Sequence, residues 1–513
     1  MAATHFNFIK TIGVLTVLTA LSKIISLIRE SAIASFYGAS SSTDAYFVAC
    51  GFVTNVFFGI TAALAAVFVP YYINLKNTLP EKDKNQAVST LLTTLLVFSG
   101  VIVIILFVFS QWIIHLIAPT YSGKTFQEAV LFLRIYSITV IFSMQTSMLT
   151  ALLNAEHRFE FGAVASVVYS IVSITMMIAL KDVIGVSALA ASVPISFCIQ
   201  LIILLFAMRR YCKLRLIFQL FNPDIKKLTI LMFPVLLSNA TIEINQLLTR
   251  MIASNLDEGA VSILSYSNNL FNFVSQLMVC TFITIYFTEL SNAAKENGES
   301  RFINILSQAI NLIVIVTLPL VAITFFFSND IVSIAYGRGK FSVESIKLTA
   351  SCLSIYAIVI SFDSVRNLLI KAYYAKDNTK TPFINSLIST GITLAGSFIL
   401  SKRMGVNGII VSICISLFLT SIFLFLRAGK QIAVFEWKKF AVTFSKAGIS
   451  FIITSIVLFF LDRMMSGRSV YLRFICASCI GFACYAALLF ALKCEETSVF
   501  INILKHKKAR GQN

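Results

Sequence analysis

The sequence predicts an all-α integral membrane protein of about fourteen transmembrane helices, arranged as two parallel six-helix lobes plus two C-terminal helices. Three observations lead to this fold class: the apolar composition, the length of the apolar segments, and a weak internal repeat. Of the 513 residues, 58% are hydrophobic and 12% are charged, whereas a soluble protein has roughly 25% charged residues. The chain therefore has too few charges to cover a water-soluble fold.

Apolar segments long enough to cross a bilayer follow one another along almost the whole chain. A spanning helix needs about 20 mainly apolar residues. The first segment follows Lys10 and lacks a convincing small-residue cleavage site, so we interpret it as a retained first span. The predicted spans, numbered in chain order, are 8–36, 45–73, 87–117, 126–153, 160–180, 185–208, 228–254, 260–291, 304–327, 346–371, 382–401, 406–427, 441–461 and 472–492.

The distribution of Lys and Arg predicts the orientation in the membrane. Loops after even-numbered spans carry more basic residues than loops after odd-numbered spans, and the tail is also basic. By the positive-inside rule the even-numbered loops and both termini are predicted to be cytoplasmic. The net charge of +18 is explained in this way and does not indicate a nucleic-acid partner.

Three pairs of short segments match in the same order at a nearly constant offset, which indicates that a six-helix unit was duplicated. Because six is even, both copies have the same orientation, as in transporters built from parallel repeats. The paired segments begin at Ile33 and Ile252, at Leu152 and Leu369, and at Gly185 and Gly405. The predicted domains are an N-terminal lobe (1–208), a basic cytoplasmic linker (209–227), a C-terminal lobe (228–430), and two extra helices with a basic tail (431–513).

Several charged residues fall inside predicted spans, where each costs about 2.5–3.5 kcal/mol on insertion scales unless it faces a cavity or a partner. Lys23 and Glu30 are two helical turns apart and share a face of span 1, which also holds Arg29. Asp44 opens span 2, and Glu243 lies in the middle of span 7. We predict that these spans line a polar cavity in which cations bind an anionic head group and Glu243 is the candidate for ion coupling.

Internal salt bridges are the alternative explanation for such charges. For Asp363 and Arg366, three residues apart in span 10, the salt bridge is favoured. For the charges of spans 1 and 2 the cavity is favoured, because they are concentrated in the first helices of one lobe. For Glu243, with Arg250 seven residues later, both explanations stay open.

Patterns typical of enzymes and metal sites are not found. The sequence contains no Ser/His/Asp or Cys/His constellation, and its four histidines are not paired at ligand spacing. The CxxC pair Cys476–Cys479 falls inside a predicted span, and the glycine-containing loop 335–342 lacks the spacing of a P-loop. We expect a transporter without catalytic residues, cofactor or metal.

An ordered series of segments resembles the MviN/MurJ family of lipid II flippases, part of the multidrug/oligosaccharidyl-lipid/polysaccharide exporter superfamily. The segments are SKIISLIRESAIASFYGASSSTDAYFVA (22–49), IAPTY (117–121), LLNAEHRF (152–159), IASNLDEGAVSILSYSNNL (252–270), TELS (288–291), YGRGKF (336–341) and YYAKDNTKTP (373–382). The resemblance implies a bacterial inner-membrane protein that carries an undecaprenyl-pyrophosphate-linked saccharide to the outer leaflet by inward–outward alternation. It also implies that the last two helices form a groove for the polyprenyl tail.

The resemblance also implies site residues. Arg29 and Asp44 match charged cavity positions of the family, and Lys23 and Glu30 match conservatively. The sequence departs from the family at Asn268-Asn269, where an Asp-Arg pair is usual, and at 50–64, where basic residues are usual. These losses weaken the expected grip on a pyrophosphate. The predicted substrate-binding residues are Lys23, Arg29, Glu30, Asp44 and Asn269.

Three other functions stay open. Transport of another lipid-linked unit, such as a capsular or exopolysaccharide repeat, is favoured by the missing cations, whereas the motif series favours lipid II. A drug antiporter would use Glu243 or Asp44 to exchange protons or sodium, but a twelve-helix core would suit it better. A membrane scaffold would need interaction domains, which the loops lack. The expected partners are a lipid-linked saccharide, membrane lipid, and a coupling ion or the membrane potential.

Overall fold

The computed structural model describes residues 21–218, 243–295, 299–431 and 437–494, which form helices joined by short turns and loops, with no β-strand among them. The predicted all-α membrane fold is confirmed. Several predicted features lie outside the described residues in part: the beginning of span 1, the end of the linker, the first half of span 7, and the basic tail.

Most predicted spans correspond to one helix or to two consecutive helices. The helices are α1 (21–37), α2 (Ser41–Thr78), α3 (Glu81–Val108), α4 (Ser110–Ile117), α5 (Gly123–Ser137), α6 (Thr139–Ala155), α7 (Phe159–Ile184), α8 (Ser187–Met208), α9 (243–253), α10 (Ala260–Lys295), α11 (Glu299–Phe326), α12 (Ser328–Tyr336), α13 (Val343–Ala357), α14 (Ile360–Ala375), α15 (Lys380–Met404), α16 (Val406–Gln431), α17 (Trp437–Met464) and α18 (Val470–Ala491).

Within the described residues, ten helical segments are long and apolar enough to cross a membrane, and the bent pair α13–α14 would make an eleventh. Each of these segments overlaps one predicted span. The remaining predicted spans correspond to α1, α9 and α10, and the structure describes α1 and α9 only from residues 21 and 243 onward. The count of about fourteen spans therefore stays a prediction.

In the part of the chain that the structure describes, three predicted spans are interrupted at positions that carry neither proline nor glycine. The breaks are at Phe109 between α3 and α4, at Ile138 between α5 and α6, and at Ile358 between α13 and α14, where the axes bend by 53°. At the second break the Ile141 amide donates to the Ile138 carbonyl at 3.2 Å, a tightened turn of the 3₁₀ type. Residues on both sides of it are fully buried, so packing accounts for the break better than local sequence does.

The chain divides into two compact units. Unit 1 comprises the residues up to Ser262 together with Arg338–Phe341. In it α2 packs against α5 and α6, and α7 packs against α8. Its core includes the fully buried aromatic Tyr72 and the leucines Leu149 and Leu152.

Unit 2 comprises Ile263–Gly337 and the residues from Ser342 onward. In it α11 packs against α14 and α17, α15 against α16, and α17 against α18. A Cβ at Gly481 of α18 would lie 3.3 Å from side-chain carbons of Ile323 and Leu458, so the lack of a side chain allows a close approach. The two C-terminal helices are thus packed into unit 2.

Left-handed backbone conformations recur at matching places of the two predicted repeats. His157 after α6 has φ 58° and Asp377 after α14 has φ 55°. Gly185 after α7 has φ 57° and Gly405 after α15 has φ 56°. The spacing agrees with that of the matching sequence segments. These turns support the duplication, and the boundaries of the lobes remain a prediction.

Candidate functional site

The start of α2 places Asp44 in a fixed position. Gly38, with φ 69°, turns the chain after α1. Ser40 and Thr43 then form a capping box, in which the Thr43 amide donates to Ser40 Oγ at 3.4 Å and the Ser40 amide donates to Thr43 Oγ1 at 2.8 Å. Asp44 therefore lies in the first turn of α2, where it is 5% exposed.

The Asp44 carboxylate accepts three hydrogen bonds from the segment that begins α10. The amides of Gly259 and Ser262 donate to it at 2.7 Å each, and the Ser262 hydroxyl donates at 2.5 Å. The first N–H groups of a helix have no partner within that helix and attract negative charge. Asp44 thus caps α10 from a different helix, and we name this set of contacts the Asp44 closure.

Arg29 and Glu30 form a partly buried ion pair in the middle of the described part of α1. Arg29 Nη2 lies 2.8 Å from Glu30 Oε1, and Arg29 Nη1 donates to the Tyr169 hydroxyl of α7 at 3.2 Å. Arg29 Nε and Glu30 Oε2 are buried and find no hydrogen-bond partner within the described part of the chain. The guanidinium therefore has a donor left over for an anionic ligand.

Tyrosine hydroxyls surround this ion pair. Tyr46 of α2 and Tyr136 of α5 are close enough to Arg29 to interact with it electrostatically. Thr54 Oγ1 lies 3.4 Å from the Tyr136 hydroxyl. Together with Tyr169, these groups make a polar cluster that can offer hydrogen bonds to phosphate oxygens.

Helix α9 brings a second arginine to α2. A Cβ at Gly51 of α2 would overlap the guanidinium of Arg250, and a Cβ at Gly59 would lie 3.7 Å from Glu243 Cγ. Sequence reasoning did not include Arg250 in the site. Its spacing from Glu243 could have indicated it, because residues seven apart lie two turns apart on one face of a helix.

The other predicted residues lie elsewhere. Lys23 is exposed on α1, two turns before Glu30. Asn269 lies on α10 within unit 2 and is partly buried. The structure thus joins Arg29 and Glu30 directly, and Asp44 contacts a different set of groups. Asp363 and Arg366 form the expected ion pair at 2.8 Å, within α14.

A separate charged cluster lies where α2 and α6 end. Glu156, just after α6, accepts hydrogen bonds from the Tyr72 hydroxyl and from Lys76 Nζ, both at 2.7 Å. Burial raises the pKa of Glu156, but the hydrogen bonds from Lys76 and Tyr72 outweigh it, so the pKa lies below its ordinary value. This carboxylate is therefore ionised at neutral pH and fastens the two helix ends.

Among the described residues, no group of three or more His, Cys, Asp or Glu is placed to hold a metal ion. The arrangement in unit 1 is instead one of cations, hydroxyls and partly buried acids, which suits the binding of a phosphate-bearing ligand.

Known proteins resemble this chain over most of its length. The sequence profile of the family described as lipid II flippase MurJ matches residues 33–478. A probable lipid II flippase MurJ of Rickettsia prowazekii is 28% identical over 409 residues, which cover 79% of this chain and 80% of that protein. One of Thermotoga maritima is 28% identical over 438 residues, which cover 84% and 86%.

Solved structures share the fold. A lipid II flippase MurJ in an inward closed conformation superposes with a TM-score of 0.80 at 21% identity, over 96% of this chain and 99% of that one. An inward-facing multidrug resistance transporter of the MATE family, in the MOP superfamily, superposes with a TM-score of 0.68 at 13% identity, over 82% and 94%. Since the profile match extends over most of the sequence, the chain belongs to the lipid II flippase MurJ family.

Proposed function

We propose that this inner-membrane protein moves a polyprenyl-pyrophosphate-linked saccharide, foremost the peptidoglycan precursor lipid II, from the inner to the outer leaflet by alternating access. Family membership supports the substrate and the type of transport. The structural observation that carries the proposal is the Arg29 guanidinium, partly buried on α1 with its Nε unpaired among the described residues. A buried cation of this kind is stabilised when an anionic ligand supplies acceptors.

The proposed binding residues have different roles. Arg29 donates to the pyrophosphate, and Glu30 orients it through their ion pair. Lys23 on α1 and Asn269 on α10 are the further residues that we propose to bind the head group. The polyprenyl tail stays in lipid, in a groove offered by α17 and α18, so only the polar head group crosses the apolar core.

The Asp44 closure supports the alternating-access part of the proposal. With both termini cytoplasmic, the α1–α2 turn faces the outside. The three hydrogen bonds to the Asp44 carboxylate then hold the start of α2 against the start of α10 on the outer side. They must break when the protein opens outward. The predicted lobes, 1–208 and 228–430, are the bodies that rock in this scheme, and Glu243 is the proposed site of ion coupling.

A flippase for another lipid-linked saccharide is the second candidate. The absence of Lys and Arg from residues 45–75 and the Asn268-Asn269 pair favour it. With fewer cations, the cavity is less suited to the head group that the family usually binds. A drug antiporter has support only from shared fold with MATE transporters.

Complementation tests the proposal. A bacterium depleted of its own lipid II flippase would express this chain, or its Arg29→Ala variant, from a plasmid. We expect growth with the wild-type chain and none with Arg29→Ala. The exposed Arg463, stacked on Phe459, provides the control, since Arg463→Ala should support growth. Immunoblots of membranes must show equal insertion of all three proteins.

The outcomes separate the candidates. Growth that survives Arg29→Ala would remove the assignment of Arg29. Failure of the inserted wild-type chain to support growth would reject lipid II as its substrate and favour another polyprenyl-linked saccharide. Transport that is unchanged by Glu243→Gln across pH and sodium concentrations would remove the ion-coupling role of Glu243.

A further inference from the structure

We propose that Arg250 is a further, specificity-determining contact to the pyrophosphate, and that it and Arg29, which come from different helices, clamp the ligand beside α2. This inference rests on the proposed function and adds to it a residue that selects pyrophosphate over monophosphate. Four observations support it: the position of Arg250, its unpaired donor, its proximity to the Arg29 cluster, and the charge content of α2.

The position of Arg250 depends on a glycine in α2. A Cβ at Gly51 would overlap Arg250 Nη1 and lie 2.6 Å from Cζ. Any side chain larger than hydrogen at residue 51 would force the guanidinium to move. Gly59 is the matched position two turns later, because a Cβ there would make an ordinary contact at 3.7 Å with Glu243 Cγ. The helix thus has a recess that fits the guanidinium at residue 51.

The guanidinium of Arg250 is incompletely paired. Its Nη1 is buried and has no hydrogen-bond partner within the described residues, and no carboxylate of that part of the chain lies within ion-pair distance of it. Glu243 is on the same helix, but seven residues correspond to about 10 Å of rise. A buried, unpaired guanidinium is costly in an apolar surrounding, and a bound anion with several oxygens would remove that cost.

Arg29 and Arg250 approach the same part of α2. The side chains of Cys50 and Tyr136 each lie near both arginines. Arg29 comes from α1 and Arg250 from α9, so the two guanidiniums reach the same region from different helices. A pyrophosphate offers two phosphate groups, and two separate guanidiniums match it better than they match one phosphate.

The charge content of α2 explains why a cation from another helix is needed beside it. Residues 45–75 contain no Lys or Arg. The Arg29 guanidinium is already neutralised in part by Glu30, 2.8 Å away. Arg250 therefore adds a full positive charge beside α2, beyond what Arg29 and the exposed Lys23 of α1 offer.

The experiment measures binding of undecaprenyl pyrophosphate, undecaprenyl phosphate and lipid II to the purified full-length protein in nanodiscs. Arg250→Gln should weaken undecaprenyl pyrophosphate binding about tenfold or more, since it removes a charge-assisted contact, and change undecaprenyl phosphate binding far less. Arg250→Lys should fall between, because it keeps the charge but loses the planar fork. A merely structural Arg250 would not alter the preference between the two lipids.

Glycine variants test the same contact without removing the charge. Gly51→Ala should weaken undecaprenyl pyrophosphate binding as Arg250→Gln does, whereas Gly59→Ala should leave it unchanged. In the Arg250→Gln background Gly51→Ala should have no additional effect, as expected for two changes to one contact. Thermal unfolding of each variant reports whether it folds. If Arg250→Gln is unstable, Gly51→Ala still tests the contact.

The results are decisive in each direction. Equal affinities of Arg250→Gln and the wild-type chain for undecaprenyl pyrophosphate would overturn the role of Arg250 and leave the proposed function intact. A wild-type chain that binds neither pyrophosphate lipid would overturn both. If it binds undecaprenyl pyrophosphate but not lipid II, and the Arg250 effects hold, the clamp stands and the proposed head group is rejected.

Discussion

Replacing Asp44 by asparagine should loosen the start of α10. The carboxylate accepts from the Gly259 and Ser262 amides and from the Ser262 hydroxyl, all at 2.5–2.7 Å. Asparagine keeps one acceptor oxygen, but its NH2 group would face a backbone donor, and the charge that favours the helix N-terminus is lost. A hydrogen bond to a charged group contributes about 1.5–3 kcal/mol and a helix cap about 1 kcal/mol. We expect a loss of about 2 kcal/mol.

Amide hydrogen exchange of a peptide covering residues 255–265 measures this loss directly. Opening that is easier by about 2 kcal/mol should speed exchange at Gly259 and Ser262 about 30-fold. Ser262→Ala provides a graded control, because it removes only the hydroxyl donor and leaves both amide hydrogen bonds to the carboxylate in place, so it should speed exchange less than Asp44→Asn does. Exchange that differs less than about twofold between Asp44→Asn and the wild-type chain would refute the capping role of Asp44.

Two other predictions concern the ion pairs. The pKa of Glu156 lies below its ordinary value, so its carboxylate stabilises the fold above about pH 4.3 and the effect is lost as the pH falls through the lowered pKa. In Glu156→Gln, Tm should therefore fall less steeply as the pH is lowered. The lost contribution to the free energy of unfolding is less than about 1 kcal/mol, because Lys76 is exposed. A decline of Tm with pH equal to that of the wild-type chain would contradict this. Arg473→Met should cost about 3–5 kcal/mol in unit 2, because it leaves the fully buried Asp330, 3.3 Å from Arg473 Nε, unpaired. The exposed Arg463→Ala should cost about 1 kcal/mol or less, and equal Tm values for the two variants would show that Asp330 does not depend on Arg473.

Hydropathy predicts most of the spans, because a bilayer requires long apolar segments and these can be recognised in the sequence itself. It did not predict the breaks at Ile138 and Ile358. These positions carry residues that are compatible with a continuous helix, and packing decides their conformation. The capping box of Ser40 and Thr43, in contrast, is a local pattern that the sequence contains in full.

The candidate site was partly predictable for a similar reason. Arg29 and Glu30 are adjacent in sequence, so their ion pair needs no contact between distant parts of the chain. The partners of Asp44 are more than 200 residues away, and nothing near Asp44 indicates that it caps α10. Arg250 was visible as a charge in an apolar span, but the recess at Gly51 that receives it depends on the packing of α9 against α2.

The recurring left-handed turns have an evolutionary consequence. His157 and Asp377 are chemically unlike, yet both adopt φ values near those of Gly185 and Gly405. If one ancestral half gave rise to both, selection kept the path of the main chain at these corners while it allowed the side chains to diverge. Comparisons of distant relatives should therefore be anchored at the corners and not at the charges. The side chains at such corners are then the part of the molecule that is most free to change.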